Sequence, residues 1–387
     1  MPHTTAETPV TARLVALARR SHEVIATHQA PSGAYPASPT FSAYRGYAWY
    51  RDGAFTAEGM SRYGDVTSAG AFHDWAASIL MARADAVRGL VDRQSRGDEP
   101  GNEEMLPTRF TLDGADGNDP WWDFQTDGYG TWLWSVVTHA ERHGLDLARW
   151  AGGLAVATDY LVAFWDRPCY DWWEEHVAHR HGSTFGANFA GLTAIARSGA
   201  LDEGRAEAAA AAAAAIRATM LAECVAGGDE PPTASLPHLT KWAGSSAVDG
   251  SLAACVVPYG ITAPGSPLAT GTLDAIRTDL ATPGVHRFAA DVFYGGGQWL
   301  LLTCLLGWNE AATGDVASAR ARLEWVAAHA TPEGDLPEQV PDHLLHPASR
   351  AEWIERWGPV ATPLLWSHGM YLILADELGL LPPVENR

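Results

Sequence analysis

The sequence predicts an all-α protein folded as an (α/α)6 barrel, six inner helices inside six outer ones. Three observations lead there. Segments with helical spacing alternate in character: odd-numbered ones carry charge on one face, whereas most even-numbered ones are apolar or small all round and so belong inside. Links alternate too: even-to-odd links are mostly short, and odd-to-even links mostly run from roughly a dozen to thirty residues, a length usually reserved for functional loops. No stretch shows a sustained strand-like alternation of apolar and polar residues.

The elements follow in order. Thr11–Thr27 reads as a first helix, with Leu14, Leu17, Ala18 and Ile25 opposed to Arg13, Arg19 and Arg20. After a loop rich in Pro, Ser, Gly and Tyr, Asp52 is expected to cap a second helix, Gly53–Tyr63. A long amphipathic third runs from about Ser68 to Gln94, with Phe72, Trp75, Ile79 and Leu80 on one face. Asp127 opens a fourth, with Trp132, Leu133, Val136 and Val137 inward, and Leu145–Trp165 forms the fifth. Ser183–Arg197 is the sixth and Asp202–Ala226 the seventh, built on the alanine run 208–215, whose helix propensity is high. Ser246–Val257 is an apolar eighth, Thr272–Ala281 lies within a ninth, and Gly297–Trp308 is a tenth, apolar on all sides. Asp315–His329 and Pro363–Leu378 complete the set, so that one barrel domain spans residues 1–387.

Composition narrows the function. With 387 residues, 47% of them hydrophobic, the chain can bury a large core. A formal net charge of −20 argues against nucleic acid or an anionic membrane as partner, and favours a neutral substrate over a phosphorylated one. Seventeen tryptophans suit either carbohydrate binding or a large helical core. Cys169, Cys224, Cys255 and Cys304 show no metal-ligand spacing and read as reduced core residues. The polar start Met1–Val10 has no basic-then-apolar pattern and no apolar run reaches membrane-spanning length, so a cytoplasmic location is expected.

In this architecture every long loop emerges at one end, above the inner helices' N-termini, where a cup-shaped site is expected. The first brings Tyr44, Tyr47, Trp49, Arg51 and Asp52; the second Trp121, Trp122, Asp123, Gln125 and Asp127; the third Trp173, Glu174 and Glu175. The fourth brings Lys241 and Trp242, the fifth His286, Arg287 and Asp291, and the sixth Glu338, Gln339, Asp342, His343, Trp353, Glu355 and Trp357. Indole faces cover the C–H face of a pyranose, and carboxyl groups hold its hydroxyls or protonate its bridging oxygen. Capping accounts for Asp52 and Asp127 one at a time, but not for acids, an Arg–Asp pair and tryptophans recurring at one structural address. His176, His179 and His181 lack the further ligand that a zinc site needs, and no cofactor is implied. Trp75, Trp308 and Trp366 read as core.

Six blocks in order carry a resemblance: Tyr47-Ala-Trp-Tyr-Arg-Asp52, Gln125-Thr-Asp-Gly128, Trp173-Glu-Glu175, Arg287-Phe-Ala-Ala-Asp291 with Tyr294-Gly-Gly-Gly-Gln-Trp299, Glu338-Gln339, and Pro363-Leu-Leu-Trp-Ser-His368. Together they resemble the glucoamylase-type glycoside hydrolases of family 15, over nearly the whole chain. The resemblance implies an (α/α)6 barrel and an inverting, exo-acting α-glucosidase, with Glu174 as general acid and Glu338 as general base. It also implies that Arg51, Asp52, Glu175 and Arg287 hold the terminal glucose, with Trp49 and Trp121 nearby. Tyr47, Gln125, Asp127, Trp173, Lys241 and Trp242 complete the expected substrate contacts. Beside Glu174, the charge of Glu175 and the tryptophan walls are expected to favour the protonated acid. Within the family the chain is most similar to the small type that cleaves isomaltose. Hydrolysis of α-1,4 linkages or of trehalose is the alternative within the family; a sugar epimerase or a sugar-binding protein is the alternative outside it.

Overall fold

The computed structural model describes residues 9–118, 121, 124–228 and 236–382. Trp122 and Asp123 of the second loop, and Pro231 and Pro232 of the fourth, lie outside the described residues. Among those described, the helices are α1 (Pro9–His28), α2 (Tyr50–Tyr63), α3 (Val66–Ala82), α4 (Ala84–Ser95), α5 (Asp127–His143), α6 (Ala151–Phe164), α7 (Gly182–Arg197), α8 (Glu203–Glu223), α9 (Pro267–Leu280), α10 (Leu300–Ala312), α11 (Val316–Ala328), α12 (Arg350–Trp357) and α13 (Leu365–Glu377).

The inner ring closes. α2 packs on α5, α5 on α7, α7 on the 3₁₀ turn Gly250–Cys255, that turn on α10, α10 on α13, and α13 back on α2. Outside it, α3 and α4 lie against α6, α6 against α8, α9 against the 3₁₀ turn, and α11 between α10 and α1. Inner helices are buried on nearly every face because they have neighbours on every side. Small residues permit the close approach: a Cβ on Gly130 of α5 would stand 2.6 Å from the Ala187 carbonyl of α7, and one on Gly59 of α2 would stand 2.5 Å from the Gly369 carbonyl of α13. Either contact would force the two helices apart.

Inner and outer helices begin differently. α3, α8, α9 and α11 start at Asp65, Asp202, Ser266 and Asp315, each side chain accepting a backbone N–H of the first turn. α2, α5, α7, α10 and α13 start without a side-chain cap. Asp52 is therefore not the expected cap of α2. The helix begins three residues earlier than Gly53, because Tyr47–Trp49 forms a short strand, β1, paired with β2 (Arg109–Thr111), and the Tyr50 N–H donates to the Thr108 carbonyl. That leaves Asp52 in the first turn of α2, with its carboxylate free to face the cup.

Other differences have local causes. The long third helix breaks at Arg83, whose guanidinium turns back to the Ile79 carbonyl and to Asp116. The eighth helix is replaced by the 3₁₀ turn Gly250–Cys255. Asp249 takes the Ser251 N–H at its start, Asn309 takes the Val257 N–H at its end, and Pro258 has no N–H with which to continue a helix. α12 lies inside what the sequence shows as the last long loop. Short strands also appear: β3 (Val225–Ala226) pairs with β4 (His238–Leu239), and β5 (Ala281–Thr282), β6 (Gly284–Val285), β7 (Gln298–Trp299) and β8 (Gln339–Val340) form an antiparallel sheet. The four cysteines are buried and unpaired, as expected, and no described helix is long and apolar enough to cross a membrane.

Candidate active site

A cavity of about 360 Å³ opens among the loops above the inner ring. Glu174 hangs on one wall and Glu338 on another; Arg51, Asp52, Glu175 and Arg287 line it with them. The rest is aromatic: Tyr44, Trp49, Trp121, Trp172, Trp173, Phe293, Trp299, Trp353, Trp357 and Trp366, with Trp121 stacked on Trp357 at 6.0 Å and Trp173 against Trp299 at 5.3 Å.

Glu174 sits in a tight turn. Its backbone is left-handed, φ 61°, and His176 two residues on has φ 58°. Each such residue costs roughly 1–2 kcal/mol unless its surroundings hold it. Asp171 supplies the hold: its Oδ1 accepts the N–H groups of Trp173 (3.0 Å) and Glu175 (2.9 Å), and its carbonyl accepts that of Glu174 (3.0 Å). The Glu174 carboxylate takes an indole N–H from Trp49 on one oxygen and from Trp121 on the other. Burial raises its pKa; Arg51 and the two indoles oppose the rise, and Asp52 adds to it. The expected contribution of Glu175 is replaced by that of Asp52, because Glu175 is drawn to Arg287 at 3.0 Å.

Glu338 is fixed by the Pro363–His368 block and by Ala361 just before it. The Leu336 N–H donates to Nε2 of His368 (3.0 Å), Ser367 donates to the Pro337 carbonyl (2.9 Å), and the Glu338 N–H donates to the Ala361 carbonyl (2.9 Å). Gln339, next in the chain, accepts the Gly297 N–H and pairs with Trp299. On the carboxylate itself, Oε1 accepts from the Tyr44 hydroxyl at 3.2 Å, and Oε2 is buried without a protein donor. Burial pushes Glu338 up to about 8 against the pull of Arg287 and Tyr44, with Asp52 and Asp291 adding to the rise.

Two arginines anchor the floor and the far wall. Arg51, buried between Trp366 and Trp172, reaches Gln125 at 2.8 Å, Asp127 at 3.2 Å and Asp52 at 3.3 Å. Burial lifts Asp52 to about 6, with Arg51 opposing and Asp127 adding. Arg287 is locked by Asp291 (2.8 Å) and packs against Trp173, Phe293 and Trp299.

Of the expected substrate contacts, Trp49, Arg51, Asp52, Trp121, Trp173, Glu175 and Arg287 stand on the cavity wall. Tyr47, Gln125, Asp127, Lys241 and Trp242 do not; they stand behind it. Tyr47 covers the Arg109 guanidinium (4.0 Å), which also lies 4.3 Å from Trp121. Gln125 and Asp127 are fully buried under Arg51. Lys241 is buried between Asp171 (3.0 Å) and Asp249. Trp242 is stacked by His179 (4.4 Å) and touched by His176 (5.2 Å), which gives the histidine segment a packing role. Among the described residues, no group of three or more His, Cys, Asp or Glu is arranged to hold a metal.

Sequence reading missed several wall residues. Trp366 is buried in the core, as expected, and in addition reaches the cavity floor, a position its place beside Ser367 and His368 could have suggested. Arg356, beside the expected Trp353 and Trp357, reaches the cavity because α12 turns that stretch toward it, a short helix of eight residues inside what the sequence shows as a long loop.

The family profile of glycosyl hydrolases family 15 matches residues 11–353 of this chain. The chain belongs to glycosyl hydrolases family 15. As a member it is a glycoside hydrolase, and its ring of six is that family's (α/α)6 barrel. It is 65% identical over 377 residues to the isomaltose glucohydrolase of Kribbella flavida, covering 97% of this chain and 96% of that protein. The solved structure of a wild-type glycosidase superposes with a TM-score of 0.93 at 64% identity, covering 97% of this chain and all of that one. A variant glycosidase in complex with glucose superposes equally well, TM-score 0.93 at 64% identity with the same coverage. The glucoamylase of Saccharomycopsis fibuligera, 15% identical with a TM-score of 0.71 over 97% of this chain and 96% of its own, shares the fold.

Proposed function

We propose that this family 15 enzyme removes glucose from the non-reducing end of isomaltose and short α-1,6-linked gluco-oligosaccharides with inversion, Glu174 acting as general acid and Glu338 as general base. The observation that carries the reading is the placement of two buried carboxyl groups, on separate loops, in one cavity of about 360 Å³. That volume suits a neutral oligosaccharide of a few rings rather than a polymer. The isomaltose glucohydrolase at 65% identity supports the α-1,6 linkage. Four buried, unpaired thiols accord with work in the cytoplasm.

Each group has a task. Arg51 and Asp52 form a fork for adjacent hydroxyls of the terminal ring, while Glu175 and Arg287 hold it from the other side. Glu174 gives its proton to the bridging oxygen as the C1–O bond breaks, and the bonding pair leaves with that oxygen. A water attacks C1 from the opposite face and passes its proton to Glu338. The raised pKa of Glu174 keeps the proton to be given. Arg287 and the Tyr44 hydroxyl stabilise the Glu338 anion that must receive one.

A proton NMR time course with isomaltose tests the whole reading. Early β-glucose from the non-reducing end is expected. Early α-glucose from that end would exclude inversion, and turnover of maltose or trehalose in preference to isomaltose would move the linkage.

A further inference from the structure

We propose that Lys241, which touches no part of the cavity, is a positioning residue that holds the proton donor Glu174 in its turn. This rests on the reading of Glu174 as the acid. The turn Asp171–Glu175 is held by one carboxylate: Asp171 binds the Trp173 and Glu175 N–H groups through Oδ1, and gives its other oxygen to Nζ of Lys241 at 3.0 Å. Lys241 also binds Asp249, whose oxygens take the Trp173 indole N–H at 3.0 and 3.2 Å. The lysine is 3% exposed and lies 3.8 Å over the Phe288 ring. Its backbone is pinned as well: the carbonyl accepts the Gly182 N–H at the start of α7 (2.9 Å), and the N–H donates to Ala247 (2.7 Å).

Lys241 is thus the common cation for two buried acids that both bind Trp173, Asp171 at its backbone N–H and Asp249 at its indole. Without it, two negative charges face each other in a buried setting, and Asp171 has its charge unmatched. The left-handed backbone of Glu174 depends on Asp171. Glu175 has a second hold in Arg287, which is itself locked by Asp291. Glu174 is held by two indoles and Glu175 by Arg287, but of the two only Glu174 has a left-handed backbone, so loosening the turn re-aims the acid more than the sugar ligand beside it.

The test compares two substrates in purified full-length enzyme. Isomaltose needs a proton on its leaving oxygen. α-Glucosyl fluoride does not: its C1–F bond breaks, fluoride leaves with the pair, and the attacking water still gives its proton to Glu338. Lys241→Met is expected to lower kcat on isomaltose about 100-fold and on the fluoride less than about tenfold, since general acid catalysis is worth about 10²–10⁴. Glu174→Gln measures the same ratio for loss of the acid itself. If Glu174→Gln loses both substrates alike, the acid assignment fails. If Glu174→Gln separates the substrates but Lys241→Met lowers both equally, or neither, the positioning role is overturned. Should Lys241→Met not fold, Asp171→Asn keeps the side chain's shape, weakens the ion pair, and is judged by the same ratio.

Discussion

The hydroxyl of Tyr44 donates to Oε1 of Glu338 at 3.2 Å, and the Tyr44 ring lies edge-on to Trp49, 5.5 Å between centroids, whose indole N–H holds Glu174. One loop therefore touches both carboxyl groups, giving a hydrogen bond to the base directly and to the acid through its neighbour.

Tyr44→Phe removes a donor that favours the Glu338 anion, so Glu338 titrates higher than in the parent enzyme. The acidic limb of the kcat/KM profile is expected to move to higher pH, and kcat at neutral pH to fall about tenfold or more, as for a lost hydrogen bond to a charged group. A pH–rate profile checks it; an unmoved acidic limb would remove Tyr44 from the base's environment.

Glu338→Gln should abolish turnover by about 10³-fold and stabilise the fold at alkaline pH. The folded pKa of about 8 exceeds the ordinary 4.5, so between those values the folded chain keeps a proton that the unfolded chain has lost. Stability then falls with rising pH across that window, by up to about 1.4 kcal/mol per pH unit. The amide does not titrate. Urea unfolding at pH 5, 7, 8, 9 and 10 should show the variant gaining on the parent from 5 to 8 and levelling off above; parallel curves would contradict the burial argument.

Asp127→Asn leaves the cavity wall intact but weakens one of the three acceptors that aim Arg51. KM is expected to rise about tenfold, the worth of one charge-assisted bond, with kcat changed much less. Steady-state kinetics with glucose titration by calorimetry would show it, and a loss confined to kcat would count against the fork.

Arg356 lies over Trp353 (5.5 Å) and Trp357 (4.9 Å) at the exposed edge of the cavity, where the departing sugar would sit. Arg356→Ala should raise KM for isomaltose about fivefold, roughly one net hydrogen bond, and leave glucose affinity in place. Equal weakening of both ligands would put the arginine at the terminal ring instead.

The barrel was legible because burial on all sides leaves a compositional mark: α10, with Leu300–Leu302 and Leu305–Leu306, cannot face water. The acids and arginines were legible because they recur just before inner helices. What could not be read depends on depth. Gln125 and Asp127 stand at the start of α5 as Arg51 and Asp52 open α2, yet one pair lies beneath the cavity and supports the other. Lys241 looks like a rim cation in the sequence and is a buried counter-ion in the fold. The 3₁₀ turn Gly250–Cys255 is as apolar as a helix, and what stops it is Asn309, a partner more than fifty residues away in sequence. α12 is only eight residues long, so the spacing of Trp353 and Trp357, four apart, spans too short a stretch to mark a helix inside a long loop.

The floor of the cavity, where Arg51 lies between Trp172 and Trp366, is buried, and the cavity meets solvent at the exposed edge where Arg356 stands. Traffic through it follows an order: the departing sugar, nearer the opening, goes first, and the freed glucose beneath it goes last. Accumulating glucose is then expected to occupy the innermost place and to compete with the next substrate molecule, so a slowing of the reaction late in its course would follow from the shape of the cup.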